Sequence, residues 1–131
     1  MRALVIDDSR TMRRIVRATL AAFGYEVHEA EHGQAALDLL EGGLEVDLAC
    51  VDWNMPVLDG LQFVTRVRAN PLWRAVTLVM VTTESEHSQI VRALAAGAHE
   101  YVIKPFTADA LREKLELLGL VPEPVAAGGV A

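Results

Sequence analysis

Ala3-Leu4-Val5-Ile6-Asp7-Asp8 is an apolar run without alternation that ends abruptly on two adjacent acids. An unbroken run of this kind reads as a strand buried on both faces, as in a parallel sheet covered by helices. Two further runs share the pattern of apolar residues closed by a charge. Leu48-Ala49-Cys50-Val51 ends on Asp52, and Tyr101-Val102-Ile103 ends on Lys104. Open parallel α/β sheets bind ligands beyond the carboxyl ends of their strands. If the three runs are parallel neighbours, three carboxylates and an ammonium meet in one crevice. Carboxylates so close raise one another's pKa, and a hard divalent cation relieves the repulsion. Mg²⁺ suits this role, using one or two carboxylates and leaving positions for water and phosphate. Lys104 then offers a point charge to an incoming phosphoryl group. The pattern predicts a phosphoryl site on an aspartate.

Outward from these runs, the period alternates between strand and helix. Met12, Ile15, Val16, Leu20 and Phe23 recur at helical spacing up to Gly24. Tyr25 to Glu29 alternates, as a strand nearer an edge does, and a short helix from Gln34 to Leu40 stops at Gly42-Gly43. After the strand at Val46 to Val51, Leu61, Val64 and Val67 mark a helix capped by Asp59 and halted before Pro71. Val76 to Val81 is a β-branched strand, and a helix carrying Ile90, Val91, Leu94 and Ala95 runs from near Ser85 to Gly97. Thr107 caps a last helix with Leu111, Leu115 and Leu118 on one face, ended by Gly119. Strict alternation implies right-handed crossovers and a doubly wound parallel sheet. The expected organisation is one α/β domain over residues 1–120 and a flexible Pro/Gly-containing tail over 121–131.

Composition narrows the function classes. The 131 residues suffice for one full core. A net charge of −6 argues against nucleic acid as the main partner. A single cysteine, Cys50, excludes an internal disulfide and fits a reducing compartment, and it reads as a small core residue. No apolar stretch reaches the length of a membrane span, and the run after Met1-Arg2 is too short for the core of a signal peptide. A cytoplasmic monomer is the expectation. The four histidines, His28, His32, His87 and His99, lack metal-ligand spacing. Trp53, beside Asp52, is an expected reporter of the site.

Asp7-Asp8, Asp52-Trp53-Asn54-Met55-Pro56 with Asp59-Gly60, Val81-Thr82 and Lys104-Pro105-Phe106 together resemble the signature of response-regulator receiver domains. Thr11 to Arg17 and Lys104 to Ala108 resemble the stand-alone chemotaxis members in particular. The resemblance spans Arg2 to about Leu120 and implies a flavodoxin-like (βα)5 fold with strand order 2-1-3-4-5. It implies that Asp52 accepts a phosphoryl group from a sensor histidine kinase. Mg²⁺ would be held by Asp8, Asp52 and the Asn54 carbonyl, with Asp7 acting through water. Lys104 and Thr82 would contact the phosphoryl group, Thr82 and Tyr101 would form a switch, and Asn54 and Glu84 would tune hydrolysis. A cis Lys104-Pro105 peptide is implied as well. The implied output surface is helix four, strand five and helix five. Its implied partner is the flagellar motor switch, with a phosphatase as a further partner.

The chain also departs from the chemotaxis pattern. Ser9 replaces an aromatic residue, Thr83 replaces an alanine, and Glu86-His87 stand where two lysines contribute to partner binding. The first two border the pocket, so the acyl-phosphate lifetime is not carried over.

Other readings fit less well. A flavin-binding module needs a phosphate loop of Ser, Thr and Gly, which Asp7-Asp8 would oppose. A haloacid-dehalogenase-like phosphatase places its acids two residues apart on the first strand, whereas these are adjacent. A stand-alone phosphorelay intermediate or kinase-docking regulator shares all the site residues. The receiver fragment of a transcription factor would lack its DNA-binding half here.

Overall fold

The structure, a computed structural model, describes residues 1–83 and 89–121. Glu84, the expected helix start near Ser85, the Glu86-His87 pair and tail positions from 122 onward lie outside the described residues. Within them the order is β1 (Arg2–Ile6), α1 (Arg10–Ala22), β2 (Glu26–Ala30), α2 (Gly33–Glu41), β3 (Leu48–Asp52) and α3 (Gly60–Ala69). A 3-10 turn (Pro71–Trp73) follows, then β4 (Thr77–Thr83), α4 (Ile90–Ala96), β5 (Glu100–Lys104) and α5 (Ala108–Leu117). The strands form one parallel sheet in the order β2-β1-β3-β4-β5, the flavodoxin-like arrangement.

The side-chain period of two divides the sheet between two apolar layers. Leu4, Ile6, Ala49, Val51, Leu78 and Met80 pack with residues of α2, α3 and α4. Ala3, Val5, Cys50, Val79, Val81 and Val102 pack with Val16 and Leu20 of α1 and Leu111 and Leu115 of α5. Both faces of the central strands are thereby dry, which explains why β1 and β3 read as unbroken apolar runs. Cys50 is buried, and its thiol is pushed up to about 12 by desolvation, so it is inert core.

Local chemistry sets the helix ends. Ser9 caps α1 by accepting from Met12 N–H, and Thr107 caps α5 by accepting from Ala110 N–H. Asp59 and Gln62 form a reciprocal capping box at α3. The His32 imidazole caps α2 by accepting from Ala35 N–H, a structural use for one of the four histidines. Three apolar positions behave differently from their sequence spacing. Ile15 is half exposed, and on α4 Val91 and Leu94 face solvent while Ile90 and Ala93 are buried. The short α4 meets the sheet through a narrower stripe than its composition suggests. After α5, the Tyr25 hydroxyl donates to the Leu120 carbonyl, and Val121 packs half-buried against the α1–α5 layer.

Candidate phosphoryl and metal site

Register brings the charges together. Ile6 pairs with Val51, so Asp7, one residue past β1, comes beside Asp52 at the end of β3. Asp52 pairs with Val81, and Thr83 pairs with Lys104 at the end of β5. Asp7 and Asp52 are buried, whereas Asp8 is exposed. The Lys104 Nζ donates to Asp52 Oδ1 at 2.9 Å and to Asp7 Oδ2 at 3.2 Å. Asp7 is further held by Ser9 N–H at 2.8 Å, and its carbonyl accepts from Arg13 Nη1 at 2.7 Å. The Lys104-Pro105 peptide is cis, as the resemblance implied.

Electrostatics and packing both mark this end of the sheet. Desolvation pushes the Asp52 carboxyl up to about 6, its hydrogen bond to Lys104 opposes the rise, and the charges of Asp7 and Asp8 add to it. Burial works to lower the Lys104 pKa, but Asp52 and Asp7 outweigh it and the net shift is upward. Thr82 is fully buried, and its Oγ1 is a buried side-chain polar atom without a hydrogen-bond partner among the described residues. An orphaned buried hydroxyl costs about 1–3 kcal/mol, so its retention here calls for a ligand-side explanation. Gly60 closes the back of the site: its N–H donates to the Trp53 carbonyl, and a Cβ there would lie 2.5 Å from the Asp52 carbonyl oxygen. Trp53 is buried next to the acid.

One carboxylate oxygen from each of Asp7, Asp8 and Asp52 lies within 4.8 Å of the others. Three carboxylates against one ammonium leave a formal excess of negative charge in a small volume. An all-oxygen set of hard, anionic donors fits Mg²⁺ and offers nothing to a soft thiophilic ion. The donor chemistry therefore fits the Mg²⁺ that the resemblance implies.

The expected site residues fall into groups. Asp7, Asp8, Asp52 and Lys104 are brought together directly. Thr82 stands at the same strand ends. Asn54 lies two residues past β3 and is engaged in an interaction of its own. Tyr101 is half-buried on β5, with the Lys114 ammonium 4.8 Å from its ring centre, and Lys114 also pairs with Glu100 at 3.2 Å. Sequence reasoning missed the Arg13 hydrogen bond to the Asp7 carbonyl. It also missed Val57, a β-branched residue at φ 70° in the loop after Asp52.

Residues 3–116 match the family model for the response regulator receiver domain, so the chain belongs to that family. The chain is 44% identical over 119 residues to the chemotaxis protein CheY1 of Helicobacter pylori, covering 90% of this chain and 96% of that protein. It is 47% identical over 117 residues to a CheY homologue of Campylobacter jejuni, covering 88% of this chain and 90% of the relative. The solved structure of Vibrio cholerae chemotaxis protein CheY4 superimposes with a TM-score of 0.81 at 34% identity, covering 88% of this chain and 96% of that one. The relatives are thus CheY-like, stand-alone receivers of two-component signalling. No helix among the described residues is long and apolar enough to cross a membrane.

Proposed function

We propose that this receiver accepts a phosphoryl group on Asp52 from a sensor histidine kinase and passes the signal on through a change of surface. The observation that carries the reading is the Asp7-Asp8-Asp52 cluster bridged by Lys104. An Asp52 carboxylate oxygen attacks phosphorus, the phosphorus–nitrogen bond of the donor phosphohistidine breaks, and its electron pair leaves on the imidazole. The product is an acyl phosphate. Asp8, Asp52 and the Asn54 carbonyl would hold Mg²⁺, with Asp7 acting through water. The bound ion supplies neutralising charge for the attacking and transferred oxygens. Lys104 takes another phosphoryl oxygen as a point charge, and the orphaned Thr82 hydroxyl donates to a third. Positioning and electrostatics account for most of the catalysis, because phosphoryl transfer asks little proton chemistry of the protein.

Once Thr82 turns to the phosphoryl group, Tyr101 exchanges its position and alters the α4–β5–α5 surface. Asn54 and Glu84 would tune the hydrolysis of the acyl phosphate, as the resemblance implies. Chemotaxis names among the relatives support the flagellar motor switch as the output partner. In this reading the working form is a cytoplasmic monomer, and a phosphatase is a further partner. Glu86-His87, in place of a basic pair, favours a second reading, a stand-alone phosphorelay intermediate or kinase-docking regulator, because an acidic motor peptide meets less positive charge.

Acetyl phosphate with Mg²⁺ tests the chemistry. The parent should acquire an acid-stable, alkali-labile label, and Asp52→Asn should acquire none while keeping the fold, because an amide has no attacking oxyanion. Undiminished labelling of the variant overturns the assignment. Binding of the phosphorylated chain to purified flagellar switch protein, set against binding to the kinase, separates the two outputs.

A further inference from the structure

The thirteen residues of α1 include Arg10, Arg13, Arg14 and Arg17 and no acid. Spacings of three and four residues set all four guanidinium groups along one face. They are four of the twelve basic residues in a chain of net charge −6, so the cationic face is a concentration against the overall balance. Within the helix itself the clustering brings no gain. Like charges four apart repel, and cations in a first turn oppose the helix macrodipole. With Glu29 and Glu31 these arginines line a groove of about 410 Å³ beside the end of β2.

The groove is half assembled. Glu29 pairs with Arg13 at 3.4 Å and with Arg17 at 2.5 Å, which fixes the inner pair. Arg13 is also anchored to the Asp7 carbonyl at 2.7 Å. Arg10 and Arg14 are exposed and have no hydrogen-bond or ion-pair partner among the described residues, and Glu31 is in the same condition. Two free guanidinium forks and a free carboxylate therefore surround a concave space whose far wall is the ion-paired Arg13, Arg17 and Glu29.

We propose that this groove binds a nucleotide carrying two or more phosphate groups. The outer cations are both arginine, and the planar fork matches phosphate oxygens in pairs where lysine offers only a point charge. The volume is that of a small-molecule site. Glu31 would repel a bare polyphosphate, but it accepts from a ribose hydroxyl or a base amine, so the ligand must bring donors as well as charge. An arginine not engaged on phosphate stacks on a planar base. The site is distinct from the acid pocket, and Arg13 physically joins the two through Asp7.

Calorimetric titration of the full chain in EDTA at low salt tests this, with GTP, ATP, inorganic pyrophosphate and an acidic polyglutamate peptide as probes. EDTA keeps phosphates from being recruited by metal at Asp52. A saturable isotherm is expected for at least one nucleoside triphosphate, weakened about ten-fold by Arg10→Ala and about ten-fold by Arg14→Ala. Arg14→Lys should restore little of the loss. Pyrophosphate should bind at least about ten-fold more weakly than the nucleotide, and Glu31→Gln should narrow that gap. Arg10, Arg14 and Glu31 lack partners among the described residues, so none of these variants should melt below the parent, and the two alanine variants should melt at or slightly above it. The proposal is overturned if neither triphosphate gives a saturable isotherm or if the two alanine variants bind as the parent does. It is equally overturned if pyrophosphate or the acidic peptide binds as tightly as the nucleotide.

Discussion

The two ends of the sheet both hold charge drawn at least partly out of water, and they treat it in opposite ways. At the amino-terminal ends of β4 and β5, Arg68 of α3 is saturated. Its Nε donates to the Gly97 carbonyl, its Nη2 to the Val76 carbonyl at 2.6 Å, and its Nη1 to the carbonyls of Trp73 and Arg74. His99 Nδ1 sits 3.1 Å from Arg68 Nη2 and accepts from Leu78 N–H at 3.1 Å. Gly97 permits the close approach: its φ is +122°, and a Cβ there would meet Arg68 Cγ at 2.4 Å. At the carboxyl-terminal ends, three acids crowd one lysine and a buried hydroxyl has no partner among the described residues. One end is wired to hold the fold together. The other is left short of positive charge and of a hydrogen bond, which is the condition expected of a site that awaits a ligand.

The largest effect should come from breaking the satisfied end. Arg68→Ala takes the donor from four backbone carbonyls. Trp73 keeps the Val76 N–H and Arg74 is exposed to water, but the part-buried carbonyls of Gly97 and Val76 lose the guanidinium that joins α3 to the start of β4 and the end of α4. A loss of about 3 kcal/mol is expected in urea unfolding, with labelling of Asp52 by acetyl phosphate unchanged at temperatures where the variant is folded. A loss below about 0.5 kcal/mol would show that water replaces the clamp.

The pH dependence of stability should then separate the ends by sign. In metal-free protein the folded Asp52 carboxyl, at about 6, lies above its ordinary 3.8. The native state holds that proton more tightly than the unfolded chain does. Its contribution to stability is therefore full below about pH 4 and lost as pH rises toward about 6. The difference between the parent and Asp52→Asn, followed by urea unfolding in EDTA, should move in the variant's favour by on the order of 2 kcal/mol across this window. At the other end, burial and the Arg68 charge hold His99 below its ordinary 6.5. Neutral His99 thus contributes stability above that value, which is lost as pH falls through and below it, the opposite direction.

Sequence and structure agree where short-range patterning governs. Unbroken apolar runs located β1 and β3, alternation located edge strand β2, and charges at the ends of three runs located the pocket. β4 extends past Val81 to Thr83, because parallel pairing with Lys104 continues beyond the apolar core. The Arg68 clamp was not legible. An arginine on a helix ordinarily reads as a solvated face, and its acceptors are carbonyls up to 29 residues away that carry no side-chain signature. Val57 was equally silent, since no residue pattern announces a β-branched side chain at φ 70°.

That strain gives the smallest of the expected effects. Val57 is 79% exposed, so its side chain has little packing to lose. Val57→Gly should relieve the left-handed backbone and stabilise the protein by about 0.5–1 kcal/mol, partly offset by the entropy of glycine in the unfolded chain. Thermal melts check the direction. A destabilised variant would mean that the loop conformation depends on the valine side chain.

The most direct test of the contrast between the two ends is the stability of Asp8→Ala against the parent, in EDTA and in saturating Mg²⁺, with Trp53 fluorescence reporting the titration. Removing one of three crowded carboxylates should leave the variant at least as stable as the parent in EDTA. Mg²⁺ should stabilise the parent by binding only the native state, change its Trp53 emission and raise it above the variant, reversing the order. If Asp8→Ala is less stable than the parent in EDTA, or if Mg²⁺ shifts both proteins equally at the same affinity, the acids are structural and this account of the site is wrong.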